Sequence, residues 1–386
     1  MPSASARPSA VHSKLLLVAP SPRMDAEVAA YADGLRKALS AVTPVEAVSP
    51  AAVRSLGGGL PMYHLKNDPR YEPIYQAALA RPGVVVLHEA VLHRLLLGCL
   101  SEEQYLEEFV FNYGEWLRPL AIEMWNERFT VQPGGRYFEF PMLRRLAEAS
   151  QAIVVHNPKA HRIVQEALAG PASKTRVFEI PRWVEAPESV DQATISALRE
   201  RLQIPQNAVV ISCFSPLRPE TRIRSLLEAV QVVSVPCRLL LAGSFDDAEY
   251  ETALRPLLES MPVIRLPYPV AEDRWRLAHL TDIGVSLTHP SAGQTSPAVL
   301  RWMAAGKPVI VTDGDDHSLF PATSVIRVDP GEPETEMLAH YLYALASDKE
   351  MRDVIGAEAR RHVLQNHSLE VAASRYHGVV QSLSEA

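Results

Sequence analysis

Short apolar runs alternate with amphipathic segments along almost the whole chain. The runs at residues 14–19 (KLLLVA), 83–87 (GVVVL) and 152–156 (AIVVH) have the continuous hydrophobicity of strands that are buried on both faces of a parallel sheet. The segments at 27–40 and 158–167 place apolar residues on one side of a helix. This alternation predicts the α/β class, with helices packed on both faces of a parallel sheet.

The second half of the chain repeats the same alternation. Strands are predicted at 208–214, 238–242, 263–266 and 283–287, with helices between them. We therefore predict two doubly wound, Rossmann-like domains that face each other across a cleft. The predicted organisation is a disordered tail at 1–13, an N-terminal domain at 14–185, a C-terminal domain at 186–365, and a C-terminal helix at 366–386 that could cross back to the N-terminal domain.

Three helical regions are predicted without a break. They lie at 102–129, 140–149 and 349–384, and the first is rich in aromatic side chains. Packing in the core is the preferred explanation for these aromatic residues. A binding pocket, or a surface for a lipid or a partner, is the alternative.

The segment at 284–313 is predicted to form a strand, a loop, a helix and a second strand. Ser296 and Pro297 suit the N-cap and the first position of the helix, and Gly306 suits its end. The preceding loop at 291–296 is made mainly of small residues, so we expect it to expose backbone N–H groups at the positive end of the helix dipole. This arrangement suits a phosphate group, although an ordinary strand–helix–strand unit explains it equally well.

Composition and charge restrict the classes of function. A chain of 386 residues suits two domains, and 47% hydrophobic with 22% charged residues is usual for a soluble globular protein. The net charge of −7 gives no electrostatic footprint for nucleic acid. Three widely spaced cysteines favour a reducing compartment, and no apolar run is as long as a membrane span. We therefore expect a cytoplasmic protein.

Two common phosphate-binding loops are excluded. The loop at 20–25, after the first strand, contains no glycine, so the dinucleotide fingerprint of a Rossmann fold is missing there. The glycines at 57–59 are not followed by Lys and then Ser or Thr, which excludes a P-loop.

A polar group follows the strand predicted at 83–87. His88 and Glu89 come at its carboxyl end, where ligands of open α/β sheets bind, and His93 follows shortly after. The spacing of the two histidines is one residue too long for a zinc-peptidase motif, because residues five apart on a helix point about 140° apart. A structural role is favoured for His93, and for His88 structural and chemical roles are about equally supported.

Five segments together resemble a bacterial GT-B glycosyltransferase of retaining glycosyltransferase family 4, also described as glycosyl transferases group 1. They lie at 62–67 (MYHLKN), 83–93 (GVVVLHEAVLH), 152–156 (AIVVH), 219–229 (PETRIRSLLEA) and 293–308 (GQTSPAVLRWMAAGKP). The last is similar to the donor-binding segment of that family. The resemblance covers the chain from about residue 14 to its end.

The resemblance implies a hexosyltransferase-type enzyme that uses a nucleotide-sugar and needs no cofactor and no metal. Attack from the front face, assisted by the leaving phosphate, would then need no protein nucleophile. The acceptor could be a glycan, a lipid-linked molecule or a small molecule. The implied partners include no nucleic acid and no integral membrane segment, although peripheral contact with a membrane is compatible with them.

The resemblance also implies roles for individual residues. His88 would lie near the transferred sugar, and Arg222 would act on the leaving diphosphate. The implied donor-binding residues are Arg218, Gly293, Gln294, Thr295, Ser296 and Arg301. The implied acceptor-side residues are His64, Asn67, Glu89 and His93.

The chain departs from the family pattern at several of these positions. Gly293 and Arg301 stand where many members have two glutamates, and Gln294 replaces the glutamate of the bacterial branch. Pro216 and Thr221 stand where Arg and Lys are expected to bind the diphosphate, and Arg218 and Arg222 are assigned to it because they lie beside those places and could substitute. These departures leave a catalytically impaired GT-B-fold binding or scaffold protein as the alternative function. A nucleotide-sugar epimerase or a phosphorylase is less favoured, because their residue patterns are not visible.

Overall fold

The computed structural model describes residues 14–128, 135–168 and 174–385, so the tail predicted at 1–13 lies outside the described residues. Two six-stranded sheets form the framework, and every strand pairs in parallel with its neighbours. The predicted α/β class with two doubly wound sheets is confirmed. The strands are β1 (Leu15–Val18), β2 (Val45–Ala47), β3 (Leu60–Leu65), β4 (Val84–Leu87), β5 (Ala152–Val155), β6 (Arg176–Glu179), β7 (Val209–Phe214), β8 (Cys237–Ala242), β9 (Val263–Leu266), β10 (Ile283–Ser286), β11 (Val309–Thr312) and β12 (Ile326–Val328).

Helices connect the strands and cover the sheets. In the first half they are α1 (Ala26–Leu39), α2 (Pro50–Val53), α3 (Glu72–Ala80), α4 (His93–Cys99), α5 (Glu102–Tyr113), α6 (Arg118–Asn126), α7 (Arg136–Glu139), α8 (Arg144–Ala149) and α9 (Pro158–Ala167). In the second half they are α10 (Gln192–Arg201), α11 (Ile223–Gln231), α12 (Ala248–Ser260), α13 (Arg274–Leu280), α14 (Pro297–Ala304), α15 (Glu334–Ser347), α16 (Lys349–Asn366) and α17 (Leu369–Ser384). Short 3₁₀ turns lie at Pro69–Tyr71, Glu115–Leu117, Pro219–Thr221 and Ala271–Asp273.

The chain packs as two compact units. The first contains the described residues up to Trp183, together with Ala292–Gln294 and the residues from Leu369 onward. The second contains Val184–Ser291 and Thr295–Ser368. Helix α17 therefore belongs to the first unit, although α16 immediately before it belongs to the second.

Alternating side chains of the strands supply a hydrophobic core on each face of each sheet. In the first sheet, Leu16 and Val85 face the core that contains side chains of α3, α5 and α6. Leu15 and Val84 face the opposite core, which α1 and α17 cover. The second sheet has the same arrangement, with separate cores on its two faces.

The strand orders define a topological switch point in each sheet. The first sheet has the order β2-β1-β3-β4-β5-β6, and the direction of winding reverses between β1 and β3. Read from its other edge, the second has the order β9-β8-β7-β10-β11-β12, which is the strand order of the Rossmann fold and reverses between β7 and β10. Ligands of open α/β sheets bind beyond the carboxyl ends of strands at such points.

Two of the helical regions predicted as continuous are broken, and a third begins later. In the region at 102–129, α5 ends before Gly114, whose φ is +92°, and Pro119 lies in the first turn of α6. Phe129 lies outside the described residues. The region at 140–149 is helical only from Arg144, and the one at 349–384 is interrupted at 367–368.

The interruption between α16 and α17 has a tertiary cause. His367 is buried against the ring of Phe320, with the two ring centres 5.6 Å apart, and its carbonyl accepts a hydrogen bond from the N–H of Val184 at 2.9 Å. These contacts with distant parts of the chain stop the helix, and the local pattern does not show them.

The sequence pattern does not predict β3 or α2. Strand β3 reads LPMYHL, and its proline and histidine interrupt the apolar run that would otherwise indicate a central strand. All six of its residues are nevertheless buried between β1 and β4.

Candidate functional site

The loop after β7 carries two arginines at the switch point of the second sheet. Arg218 donates from Nε to Oδ2 of Asp246 at 2.6 Å, and Thr221 braces the turn by donating to the carbonyl of Pro216 at 3.0 Å. Arg222 then starts α11 from a left-handed backbone conformation, with φ of +55°. Both arginines remain more than one quarter exposed, at 29% and 28% of their side-chain surface.

Arg222 is held by a buried carboxylate that the sequence does not indicate. Its Nε donates to Oε1 of Glu334 at 3.0 Å, and the Glu334 side chain is 1% exposed. Oε2 of Glu334 has no hydrogen-bond partner among the described residues. In the sequence, Glu334 looks like an ordinary acidic residue in the first turn of a helix.

The loop after β10 leads into α14 on the other side of the same switch point. The Ser296 hydroxyl accepts a hydrogen bond from the N–H of Val299 at 3.4 Å, and Pro297 is the first helical residue. This confirms the helix start predicted from the sequence. Within the loop, Ser291 donates to Oδ2 of Asp316 at 2.6 Å, which fixes its path. Thr295 is buried just before the cap.

Arg301 lies on α14 and is buried. Its Nε donates to Oε1 of Glu185 at 2.7 Å, and the Arg301 side chain is 7% exposed. Arg301 also lines a small cavity in the second unit together with the buried Arg274 and the ring of Tyr268. Arg274 was not singled out from the sequence, because it lies in an unremarkable helix.

Gly293 and Gln294, which the resemblance assigns to the donor-binding segment, pack within the first unit. The carbonyl of Gly293 accepts from Nδ2 of Asn157 at 2.8 Å, and the neighbouring carbonyl of Ala292 accepts from the N–H of Ala90 at 2.7 Å. A Cβ atom added at Gly293 would lie 3.0 Å from the backbone of Ala160. The φ angle of Gly293 is +69°, in the left-handed region. Only glycine meets both conditions without strain.

In the first unit, a charged cluster lies at the switch point between β1 and β3. Asp25 caps α1 by accepting from the N–H groups of Glu27 and Val28, and it also accepts from Lys66 Nζ at 3.2 Å and from the Tyr71 hydroxyl at 3.1 Å. Burial alone would lower the pKa of Lys66, but the charges of Glu89 and Asp25 raise it overall.

Asn67 and Glu89, two of the implied acceptor-side residues, lie beside this cluster. Oε2 of Glu89 accepts from the N–H of Asn67 at 3.1 Å. Oδ1 of Asn67 accepts from the N–H of Leu95 at 3.0 Å. The structure thus brings these two residues together, and their contacts hold the loop after β3.

His93, the first residue of α4, is buried in the core. Its Nδ1 is 2.7 Å from the carbonyl of Phe140, its Nε2 is 2.8 Å from the Tyr105 hydroxyl, and its ring is buried. Burial lowers the pKa of His93 to about 4, although the Phe140 carbonyl opposes this. With both nitrogens bonded, His93 has the structural role favoured from the sequence.

His64 and His88 belong to a polar layer in the first unit. His64 Nδ1 is 3.2 Å from His88 Nε2, and His88 Nδ1 is 2.9 Å from Nη1 of Arg182. His156 completes the layer, with its ring centre 5.3 Å from that of His88. Burial, followed by the charge of Arg182, lowers the pKa of His88 well below its ordinary value. We refer to His64, His88, His156 and Arg182 as the histidine layer.

The histidine layer can be read from the sequence once the strand registers are known. His64, His88, His156 and Arg182 each stand two positions after an apolar residue of the same sheet face, namely Met62, Val86, Val154 and Ile180. Arg182 was not singled out from the sequence, because it lies in a polar, proline-containing segment near the predicted boundary between the two domains.

The described residues contain no group of three His, Cys, Asp or Glu side chains placed to hold a metal ion. Independence from metal stays a prediction. None of the helices in the described ranges is both long and apolar enough to cross a membrane.

The aromatic side chains of the region at 102–129 divide into two groups. Tyr105, Phe109 and Trp125 are buried, in agreement with the preferred explanation that they pack in the core. Trp116, in the turn between α5 and α6, is 77% exposed.

Many solved structures are similar to nearly the whole chain, and three of them illustrate the likeness. HepE of Anabaena, in complex with UDP and glucose, is 17% identical with a TM-score of 0.68, and the match covers 96% of this chain and 100% of that chain. Sucrose-phosphate synthase of Thermosynechococcus elongatus is 14% identical with a TM-score of 0.69, covering 96% and 99%. WaaG, a glycosyltransferase involved in lipopolysaccharide biosynthesis, is 13% identical with a TM-score of 0.59, covering 95% and 99%.

The chain has the GT-B fold. No family model and no curated protein matches the sequence. At these identities the likeness establishes the fold. Membership of glycosyltransferase family 4 and a retaining mechanism stay predictions.

Proposed function

We propose that this protein is a metal-independent, retaining glycosyltransferase that moves a sugar from a nucleotide-sugar donor to an acceptor. One observation carries the proposal. Arg218 and Arg222 follow β7, and the capped start of α14 at Ser296 follows β10, so positive groups flank the switch point of a Rossmann-type sheet. A diphosphate is the ligand that such a place suits best.

A uridine diphosphate sugar is the donor that we propose. HepE was crystallised in complexes with UDP, with UDP and glucose, and with UDP-glucose. These complexes of a protein with the same fold support the choice of uridine diphosphate over other nucleotides.

The chemistry that these residues can supply is electrostatic. As the bond to the transferred sugar breaks, negative charge develops on the leaving diphosphate. Two guanidinium groups and the N–H groups at the start of α14 are already ordered and can stabilise that charge without a metal ion. A retaining reaction follows if the acceptor hydroxyl attacks from the face that the diphosphate leaves and passes its proton to an oxygen of that diphosphate. We assign the acceptor to the first unit, where Asn67 and Glu89 lie at the end of the sheet.

Binding of nucleotides tests the proposal. The free energy of unfolding should be measured with UDP, UDP-glucose, GDP, ADP and dTDP, each with and without EDTA. A ligand at roughly 100 times its Kd should raise the free energy of unfolding by about 2.7 kcal/mol. We expect the largest increase with UDP or UDP-glucose and no effect of EDTA. Loss of the response in EDTA would contradict independence from metal.

A matched pair of variants tests the site. Arg222→Ala should weaken UDP binding about tenfold or more, because it removes a charge-assisted contact with the diphosphate. Arg224→Ala is the control, since Arg224 lies on the same helix, is 50% exposed and pairs with Glu228. Equal affinities in the two variants would place the diphosphate elsewhere.

Transfer separates the enzyme from a GT-B-fold binding protein. A transferase should release UDP from UDP-glucose when an acceptor is supplied, and NMR of the anomeric proton in the product should show the configuration of the donor. If the protein binds UDP but releases no UDP from UDP-glucose with any of a broad panel of acceptors, it is a binding protein. An inverted product would contradict the retaining mechanism.

A further inference from the structure

The histidine layer caps one face of the first sheet. His64 lies at the end of β3, and His88, His156 and Arg182 follow β4, β5 and β6 on the same face. All four side chains are at least nine-tenths buried, between 0% and 6% exposed. Three imidazoles and a guanidinium are thus packed together without a carboxylate among them.

Aromatic side chains from α1, α17 and the segment after β6 pack beside the layer. The ring of Tyr31, on α1, has its edge toward His88 with the ring centres 5.1 Å apart, and the guanidinium of Arg182 lies 4.6 Å from the centre of the same ring. The hydroxyl of Tyr31 is 3.1 Å from that of Tyr376, on α17. Trp183 stacks on the other side of Tyr31, at 5.3 Å between ring centres.

The hydrogen bonds within the layer have one possible direction. A guanidinium can only donate, so Nδ1 of His88 must accept from Arg182, at 2.9 Å. The proton of a neutral His88 therefore lies on Nε2, which donates to Nδ1 of His64, at 3.2 Å. His64 then carries its own proton on Nε2, which has no hydrogen-bond partner in the described ranges.

A charged His88 is incompatible with this arrangement. A second proton on Nδ1 would break the bond to Arg182 and leave two cations 2.9 Å apart away from water. Among the described residues, the ring is also affected by His64 and Lys66, from β3 and the loop after it, by His156 after β5 and by Tyr31 from α1. None of these is a carboxylate, and Glu89, the next residue in the chain, accepts from the N–H of Asn67. The pKa of His64 is also lowered, to about 3, mainly by burial.

We propose that Arg182 is a positioning residue that holds His88 as a neutral hydrogen-bond donor through Nε2. The inference rests on the proposed function: His88 then binds an uncharged ligand oxygen, such as a sugar hydroxyl, and transfers no proton during the reaction. A ligand oxygen would take the place of His64 as the acceptor from Nε2 of His88. Arg182 thereby selects ligands that present an acceptor atom to Nε2.

Histidine NMR tests the inference without any substrate. In the protein labelled with ¹⁵N-histidine, His88 should show a protonated Nε2 and an unprotonated Nδ1 from pH 5 to pH 8. Arg182→Met should let the proton of the neutral His88 occupy Nδ1 as well as Nε2, whereas Arg182→Lys, which still donates, should keep the protonated Nε2. Arg176→Met is the control, because Arg176 lies on β6 and donates to the carbonyl of Ser382 instead of to a histidine.

The spectrum of the unmodified protein is decisive even if a variant fails to fold. A proton on Nδ1 of His88 at pH 7, alone or together with one on Nε2, would overturn the inference. So would a folded Arg182→Met protein whose His88 signals match those of the unmodified protein at every pH.

The pH dependence of transfer separates this inference from the proposed function. For the unmodified enzyme we expect that titration of His88 does not affect kcat/KM between pH 5 and pH 8. Any rise or fall of kcat/KM in this range should therefore also be present in His88→Gln. Arg182→Met should lose at least tenfold in kcat/KM, because Nε2 of His88 is then no longer fixed as the hydrogen-bond donor. Absence of any transfer would refute the proposed function and leave the NMR result standing. Normal transfer with a His88-dependent limb in the unmodified enzyme would refute this inference alone.

Discussion

Contacts of individual side chains determine whether a buried group in each unit is charged or neutral. Glu334 is buried and paired with Arg222, and Arg301 is buried and paired with Glu185. His64, by contrast, is buried as a neutral group whose Nδ1 lies 3.2 Å from His88. A buried ion needs a partner, whereas a buried imidazole can remain neutral, and this difference leads to two predictions.

The first prediction concerns pH. Burial lowers the pKa of His64 to about 3 and that of His93 to about 4 in the folded protein, whereas in the unfolded chain both should titrate near 6.5. Below pH 6.5 the unfolded chain therefore binds protons that the folded protein does not, and this lowers the free energy of unfolding. Each histidine should contribute a loss of about 1.4 kcal/mol per pH unit between pH 6 and about pH 4.

Urea unfolding at pH 7, 6 and 5 measures this slope. His93→Gln should make the slope shallower by about 1.4 kcal/mol per pH unit, whatever its effect at pH 7. Exposed His340→Gln should leave it unchanged. A slope that is the same in both variants would contradict the prediction for His93.

The second prediction concerns the buried pair. Glu334→Gln removes the charge that holds Arg222 and should lower the free energy of unfolding by about 1–3 kcal/mol, at the lower end because Arg222 is 28% exposed. Glu228→Gln, which affects the exposed Arg224 at 3.7 Å, should cost less than about 0.5 kcal/mol. Chemical denaturation measures both values. Equal losses would mean that burial of Glu334 does not increase the contribution of the ion pair to the free energy of unfolding.

Backbone geometry and the close approach of helices determine where elements begin and how they pack. Helix α14 starts at its predicted cap, since a hydroxyl followed by proline is a local requirement. Helix α16 packs against the turn that ends α14 so closely that Gly356 meets the backbone of Gly306. Helix α17 carries a second internal glycine, Gly378, which has no neighbour within 4 Å of an added methyl group.

These two glycines make a matched test. In Gly356→Ala the new methyl group would lie 2.0 Å from the carbonyl oxygen of Gly306, so we expect a loss of about 1–3 kcal/mol or more in the free energy of unfolding. Gly378→Ala should raise it by about 0.5–1 kcal/mol, because alanine is the better helix former. Thermal or urea unfolding measures both. Destabilisation by Gly378→Ala, or its absence in Gly356→Ala, would contradict the packing described.

At the scale of the whole molecule, the two compact units are not two consecutive halves of the sequence. Helix α17 supplies Ala372, Tyr376, Val379 and Val380 to a core of the first unit, together with Tyr31 of α1. Helix α17, near the end of the sequence, therefore covers one face of the sheet that contains β1.

Truncation after Ser368 should affect the two sheets differently. Without α17, the core that includes Tyr31 and Leu15 is exposed, so amides of β1, β3 and β4 should lose protection from hydrogen exchange. Amides of β7 and β10 should keep theirs, since no residue of α17 belongs to the cores of the second sheet. Hydrogen exchange followed by mass spectrometry measures this. Equal losses in both sheets would contradict it.

The sequence by itself determined the features that depend on neighbouring residues. The apolar runs predicted most strands, and Ser296 with Pro297 predicted the start of α14, because hydrophobic periodicity and capping act within a few positions. Where a local signal was weak or overridden, as in β3 and at the end of α16, the prediction failed. The segments that resemble a GT-B glycosyltransferase led to the fold that the structure has.

Only the tertiary structure decided how the candidate groups are paired and charged. Arg222 meets Glu334 across 112 positions, and His88 meets Arg182 across 94. A hydrogen bond constrains two atoms in space and leaves no periodic trace in the chain, so these partners could not be predicted from the residues around them. The protonation of a buried histidine depends on just such partners, which is why the sequence could name His88 and could not say which of its nitrogens carries the proton.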